Sequence, residues 1–398
     1  MKRAQRLANT PVFPFARWSE QVQAITQGGM DVIRLDIGNP DLPPPEGVVE
    51  ALCQSARQPG HHGYPDYRGL PALREAIAGY YQRRFSVGLD PDTGILPLIG
   101  SKEGIVNLAL ACVDPGGLVL VPNPGYAPYA LGAALAGAEV YAFPLLPERG
   151  FLPDLDAIPK DIADRAVLMW LNYPNNPTGA SADLGFFAQV VDFARRHDLL
   201  LCHDTSYCEV TYDGYVAPSL LQVSGALDVA VEFGSFSKTY NMAGWRIGMA
   251  VGNADVLTSL AHVKANVDSG IFRPLQEAAI RSLTIDPAWV SRRNEVYRER
   301  LEAVLHGLRA IGMEAAQPRA TFYVWVRVPA GWTSETFALT LLEREGVAVA
   351  PGSFFGPAGE GYVRFSVVTP IARIREAMER MRRFAALLPG PPAGSRQV

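Results

Sequence analysis

Lys238 stands in the run Ser235-Phe236-Ser237-Lys238-Thr239-Tyr240-Asn241-Met242-Ala243-Gly244-Trp245-Arg246, which sets one amine among small hydroxyls and a short way ahead of a guanidinium. An amine so placed can form a Schiff base with an aldehyde cofactor, while serines and an arginine grip that cofactor's phosphate. Taken alone the run equally describes a surface lysine in a turn, so the elements that would position it have to decide.

Four apolar runs, residues 118–121, 166–171, 199–202 and 229–233, have the length and composition of buried strands. They are followed by Pro124-Gly125-Tyr126, by Asn172-Tyr173-Pro174-Asn175-Asn176-Pro177, by Asp204-Thr205-Ser206-Tyr207, and by the segment that opens with Ser235. In open α/β sheets ligands bind beyond the carboxyl ends of the strands, so these four loops are expected to converge on one crevice. Strand runs alternate with helical patterns from about residue 70 to about residue 255, the signature of parallel strands with crossover helices. One helix opens at Pro71, with Leu73, Ile77, Tyr80, Tyr81 and Phe85 on its apolar face. Arg74 falls elsewhere on it, and Arg83-Arg84 reads as a solvated face.

The pattern changes after residue 290. Residues 290–312 carry Val296, Tyr297, Leu301, Val304, Leu305 and Leu308 at helical spacing, long enough to bridge two lobes. Residues 321–328 and 362–368 read as strands, 334–345 and 371–388 as helices. The expected division is an N-terminal segment 1–45 that joins a smaller lobe, a larger lobe 46–289, a smaller α+β lobe 290–388, and a Pro/Gly-rich flexible tail 389–398.

At 398 residues the chain exceeds the size at which one hydrophobic core stops growing, which fits two lobes. Its 36 Lys and Arg against 40 Asp and Glu leave no basic excess to attract nucleic acid or an anionic membrane. Cys53, Cys112, Cys202 and Cys208 are sparse and irregularly spaced, as in a reducing cytoplasm. Cys202, His203 and Cys208 lack a second Cys/His pair at zinc-site spacing, so they are read as core residues and no metal is expected. Residues 1–10 have no apolar block after their basic residues, and no stretch reaches the roughly 20 apolar residues of a membrane helix. A soluble, cytoplasmic protein is the expectation.

The loops described above, with Gly100-Ser101-Lys102-Glu103-Gly104 and Arg364, occur in the order seen in the class I/II aminotransferases of the fold-type I pyridoxal 5'-phosphate (PLP) enzymes, and the chain resembles that family over nearly its full length. The resemblance implies an α/β fold with a large domain on a mainly parallel seven-stranded sheet, plus a smaller α+β domain. It implies that Lys238 binds PLP as a Schiff base and moves the substrate α-proton. It sets Asp204 against the pyridine nitrogen, although a helix N-cap would also call for an aspartate there. Asn176 and Tyr207 resemble the pair that hydrogen-bonds the phenolic oxygen, and Asn-Pro-Thr-Gly is turn chemistry in any case. Tyr126 matches the aromatic that stacks on the ring, or packs in the core. Ser101, Lys102, Ser235, Ser237 and Arg246 would cup the phosphate.

Tyr64 resembles the tyrosine that reaches the phosphate of a neighbouring subunit, which implies a homodimer with shared sites. Arg364, within Tyr362-Val363-Arg364-Phe365-Ser366, would hold the substrate α-carboxylate in its bidentate fork together with Asn176 and the backbone of Gly38. Gly38 could instead serve a turn. The wording of Leu98-Ile99-Gly100-Ser101-Lys102-Glu103-Gly104, Phe151-Leu152-Pro153-Asp154-Leu155 and Val267-Asp268-Ser269-Gly270 looks like the branch holding LL-diaminopimelate aminotransferases, hence lysine biosynthesis. Lys102 is open between the phosphate, a distal substrate carboxylate and solvent. The implied reaction moves an amino group between an L-amino acid and a 2-oxo acid, with glutamate/2-oxoglutarate as one pair. Aspartate or alanine transamination and a PLP-dependent C-S lyase are the alternatives. A non-catalytic PLP-binding regulator would need a DNA-binding segment, for which the chain has no basic patch.

Overall fold

The structure, a computed structural model, describes residues 14–386. The tail expected at 389–398 and the basic residues near the N-terminus lie outside the described residues. Strands form where aliphatic runs meet turn residues: β1 (Ile33–Arg34), β2 (Ile95–Leu98), β3 (Leu118–Asn123), β4 (Glu139–Pro144), β5 (Ala166–Asn172), β6 (Leu200–Asp204), β7 (Ala230–Ser235), β8 (Gly248–Gly252), β9 (Tyr323–Arg327), β10 (Val347–Ala348), β11 (Ala350–Pro351) and β12 (Tyr362–Ser366).

Seven of them make one sheet in the order β2-β8-β7-β6-β5-β3-β4. All run parallel except β8, which is antiparallel to both β7 and β2. The four expected apolar runs are β3, β5, β6 and β7, the centre of the sheet. The other three strands carry a weaker pattern for a physical reason. β2 contains Pro97, which an edge strand tolerates because one side of it needs no ladder donor. β4 is the opposite edge and is mostly exposed, and β8 begins and ends in glycine.

Both faces of the central strands are covered, so nearly every residue in them is buried. Alternation sends Leu168, Trp170, Cys202 and Phe233 to one face, against Ile105, Leu108 and Tyr129. It sends Met169, Leu171 and Leu201 to the other, against Ile77, Tyr81, Phe187 and Val190. Helix Ser101–Cys112 covers the first face and helices Pro71–Phe85 and Leu184–His197 the second.

Helix Pro71–Phe85 differs from its expected polarity. Arg74 is buried, donating to the Gly69 and Pro91 carbonyls and pairing with Asp92. Arg84 is not on a solvated face: its Nε lies 2.9 Å from Glu209 and the pair is largely enclosed. A partner more than 100 residues away decides its environment, and nothing local to the helix announces it.

A second core surrounds the antiparallel sheet β11-β12-β9. Tyr297, Leu301, Val304, Leu305 and Leu308 pack there against Phe322, Val324, Phe337, Phe365 and Met381. Trp18, Val22, Ile33 and Leu35 from the N-terminal segment join them, and β1 pairs in parallel with β10. Helix Pro287–Ala310 touches both cores, with Trp289 and Val290 against the first and Tyr297 onward in the second. Helix Ser334–Glu345 begins at a capping box on Thr333 and ends at Gly346 in the left-handed region. β9 starts at Tyr323 rather than 321 because Thr321 sits at φ 70°, outside the strand region.

Asp41 ties the N-terminal segment to this long helix. Both its oxygens accept from the buried Arg300, at 2.7 and 2.9 Å. Asp41→Ala leaves that guanidinium enclosed without its counter-charge, and is expected to destabilise the fold by about 3 kcal/mol. Urea unfolding measures it, and a midpoint equal to the wild type would show that the pair contributes nothing.

Candidate active site

A cavity of about 480 Å³ opens beyond the carboxyl ends of β5, β6 and β7, and the second lobe closes its other side with Tyr323, Phe355 and Arg364. The site is built from the strand ends. Ser235 closes β7, and its hydroxyl accepts from the Ser237 N–H, capping the single helical turn Phe236–Thr239. That turn holds Lys238, whose ammonium donates to the Gly38 carbonyl at 2.5 Å. Burial, with the charges of Arg364 and Arg246 adding to it, pushes the Lys238 ammonium down to about 8, against a smaller opposing pull from Asp204.

Asp204 closes β6. Its Oδ1 accepts from the Ser206 N–H at 3.0 Å and hydroxyl at 2.6 Å, and its Oδ2 from the Tyr129 hydroxyl at 2.9 Å. Burial pushes its carboxyl up from the usual range, while the Ser206 and Tyr129 hydrogen bonds pull it back. Asn172 closes β5 and ties two loops together. Its Nδ2 donates to the Asp204 carbonyl at 2.9 Å, and its Oδ1 accepts from the Asn176 N–H at 2.8 Å.

Arg364 lies within β12 and is buried. One terminal nitrogen donates to Asn176 Oδ1 at 2.6 Å and the other to the Asp36 carbonyl at 2.7 Å, while Nε has no partner among the described residues. The rings of Tyr323 and Phe355 flank the guanidinium at 4.0 and 4.7 Å. No carboxylate among the described residues pairs with it. Tyr207 meets the Tyr323 hydroxyl at 2.9 Å.

Gly38 lines the cavity. A Cβ there would sit 1.8 Å from the Tyr323 hydroxyl oxygen, so glycine is needed for close approach rather than for a turn. Gly100, at φ 76°, could not carry a Cβ without one lying 2.3 Å from an Arg246 nitrogen. The guanidinium of Arg246 thereby packs over the start of helix Ser101–Cys112. Ser101, Lys102, Ser235, Ser237 and Arg246 all line the cavity. Burial, then the Arg246 charge, lowers the Lys102 ammonium from its ordinary value.

Tyr126 also lines the cavity, edge-on to Tyr129 with ring centroids 5.6 Å apart. Tyr64 does not. It lies outside the cavity and is 90% exposed. The structure thus brings together every expected site residue except Tyr64. It adds Tyr129, Asn172, Ser206, Tyr323 and Phe15 to the lining. Tyr129 sits in an alanine-rich helix and reads as core, and Tyr323 and Phe15 come from segments far away in sequence. Asn172 and Ser206 carried a usable signal, since each neighbours a strand-end residue already singled out.

The residues fit a phosphorylated pyridine aldehyde. Helix N–H groups, serine hydroxyls and two cations suit a dianion, a buried carboxylate suits a cationic ring nitrogen, and a lysine of lowered basicity suits an aldehyde.

Comparison with known proteins agrees with this arrangement. The family described as aminotransferase class I and II matches residues 30–381. The LL-diaminopimelate aminotransferase of Moorella thermoacetica is 49% identical over 383 residues, 96% of this chain and 98% of that protein. That of Desulforudis audaxviator is 49% identical over 379 residues, 95% and 97% of the two. Among solved structures, substrate-bound BacF from Bacillus subtilis superposes with a TM-score of 0.93 at 38% identity, covering 97% of this chain and 98% of that one. Similarity of that extent, over a crevice of this chemistry, makes the chain a member of the class I and II aminotransferase family of PLP enzymes and a transaminase resembling LL-diaminopimelate aminotransferase.

Proposed function

We propose that this chain binds PLP in the cavity and exchanges an amino group between LL-diaminopimelate and 2-oxoglutarate. The observation that carries the reading is Arg364, a buried guanidinium with, among the described residues, an unpartnered Nε and no carboxylate, facing a cavity that also holds a lysine of lowered basicity. The choice of substrate rests on the names of the relatives.

When bound, the cofactor supplies an aldehyde carbon for amines and a protonated ring that withdraws electrons from the substrate α-carbon. Asp204 would face the ring nitrogen, whose positive charge would offset the burial that otherwise raises its carboxyl. Ser101, Lys102, Ser235, Ser237 and Arg246 hold the phosphate. Asn176 and Tyr207 would hydrogen-bond the phenolic oxygen, and Tyr126 would pack on the ring; all three line the cavity. Arg364, Asn176 and the Gly38 backbone fix the substrate α-carboxylate and so aim the α-hydrogen at Lys238. The neutral Lys238 amine would take that proton and later give it back, so that one group would serve as both base and acid.

The reading extends to assembly. Gly270 packs against Pro65 and Asp66, which brings residues 268–272 beside the loop that bears Tyr64. Tyr64, Tyr67, Val267 and Phe272 are exposed, a patch suited to a homodimer in which Tyr64 reaches the partner's phosphate cup. A two-chain mass by light scattering tests this. The lobe division at residues 46–289 and 290–388, with 1–45 joined to the smaller lobe, is part of the same proposal, as is a cytoplasmic location, which the free thiols of all four cysteines suit.

A panel of donors against 2-oxoglutarate tests the substrate. LL-diaminopimelate is expected to show the highest kcat/KM, with glutamate formed in step with donor consumed. Preference for aspartate or alanine would replace the substrate, and ammonia release without an acceptor would replace transamination by elimination.

Lys238→Ala is expected to abolish turnover and the visible absorbance of lysine-bound PLP. In the wild type, the rate at which PLP reconstitutes the cofactor-free chain follows the neutral amine, so it should rise with pH and level off above about 8. A rate still climbing near pH 10, where ordinary lysines titrate, would show that the crevice does not depress the amine.

Arg364→Ala should cost about 2–5 kcal/mol in kcat/KM for every α-amino acid donor. An unchanged value across the donor panel would remove Arg364 from carboxylate binding.

A further inference from the structure

One residue before Asp204 on β6, His203 points to the opposite face of the sheet and is completely buried. It stands directly across from Glu232 on β7, also completely buried. His203 Nδ1 lies 2.8 Å from Glu232 Oε1, and Nε2 lies 3.0 Å from the Tyr173 carbonyl oxygen. A carbonyl oxygen can only accept, so Nε2 carries a proton. The tautomer is therefore settled on that side, and the open question is whether Nδ1 is protonated as well.

The surroundings of Glu232 answer it. Besides His203, Oε1 accepts from the Leu220 N–H at 2.8 Å, and Oε2 from the Ser219 hydroxyl at 2.7 Å and the Tyr81 hydroxyl at 3.2 Å. Three donors other than His203 converge on the two oxygens, an environment that suits an ionised carboxylate. A free imidazole also holds a proton more tightly than a free carboxyl group does, by about two pH units. Both facts place the shared proton on Nδ1. Buried ion pairs survive when further hydrogen bonds satisfy the remaining lone pairs and protons, and here each of these groups has its partners. The Phe187 ring packs on the imidazole, centroids 4.9 Å apart, completing the enclosure.

We propose that His203 is a constitutive imidazolium, held by Glu232 and the Tyr173 carbonyl, and that it is a positioning residue for the reaction: its charge helps keep the adjacent Asp204 ionised, and its Nε2–H anchors the loop that carries Asn176. His203 touches neither the cavity nor anything in it. It acts through the sheet, by charge on Asp204 and by a hydrogen bond on the segment that runs from Tyr173 to Asn176. Glu232 is the counter-ion that makes a buried cation affordable, and Ser219, Leu220 and Tyr81 hold Glu232. The inference rests on the assignment of Asp204 to the cofactor ring nitrogen.

The test is nitrogen NMR of the full-length, PLP-loaded enzyme labelled in its histidine rings. His203 is identified by the signal lost in His203→Gln and, should that variant fold poorly, by the signal that moves in Glu232→Gln. Two protonated ring nitrogens near neutral pH are expected in the wild type; one unprotonated nitrogen would overturn the proposal. His203→Gln, which keeps size and polarity but no charge, should weaken PLP binding roughly tenfold, a change equal to one pH unit in the ionisation of Asp204. The weakening should grow as pH falls, because Asp204 then protonates more readily, whereas a purely structural defect would be independent of pH. Equal PLP affinity and an equal pH profile in variant and wild type would also overturn it. A wild-type chain that takes up no PLP would sink the assigned function, whereas one that takes up PLP around a neutral His203 would sink this inference alone.

Discussion

Three charged groups surround one crevice, the buried Asp204 carboxylate and Arg364 guanidinium and the partly buried Lys238 amine, and none is neutralised by direct contact with another. Each is held by uncharged partners: Lys238 by the Gly38 carbonyl, Asp204 by Ser206 and Tyr129, Arg364 by Asn176 and the Asp36 carbonyl. Dipoles only partly offset the desolvation of a charge. The arrangement therefore costs stability in the empty protein and suits a ligand that brings complementary charges at matching positions. The same desolvation lowers the basicity of Lys238, so the feature that makes the crevice costly also makes its amine a usable base.

Holding such groups apart requires a rigid frame, and the sheet provides it. Asn172, Asp204 and Ser235 end three adjacent parallel strands, and Asn172 and Asp204 are partners in the ladder. Asn172 then spends its side chain on linking the two loops that follow. Beneath this layer the cross-strand pair His203 and Glu232 joins β6 and β7 from the other face. The second lobe adds Arg364 from β12, and Tyr323 bridges the lobes by stacking on Arg364 while hydrogen-bonding Tyr207. Backbone approach is equally strict. Tyr323 and Arg246 lie where a side chain at Gly38 or Gly100 would otherwise be.

Much of this was legible along the chain because its signals are local. A buried parallel strand must be apolar on both faces, so β3, β5, β6 and β7 stand out, and the polar segments after them point to one crevice. The edge strand β4 and the glycine-bounded β8 lack that signal, because one is exposed and the other gains its burial from neighbours. Arg84 shows the limit most plainly. Its helix position reads as solvent-facing, yet Glu209 and the packing around it enclose the guanidinium. Tyr129 is a further case, core by its helix and polar ligand by its hydroxyl.

By itself the sequence determined the layered α/β plan, the succession of strand-end loops and the residue types that PLP chemistry needs, since these depend on periodicity and on short motifs. Only the tertiary structure decided that Gly38 is a matter of space, that Tyr129 and Ser206 hold Asp204, that Tyr323 joins the two lobes, and that His203 faces a carboxylate across the sheet. Each of these depends on contacts between residues distant in the chain or on neighbouring strands, and such contacts come from the register of strands and the docking of lobes, which no local pattern encodes.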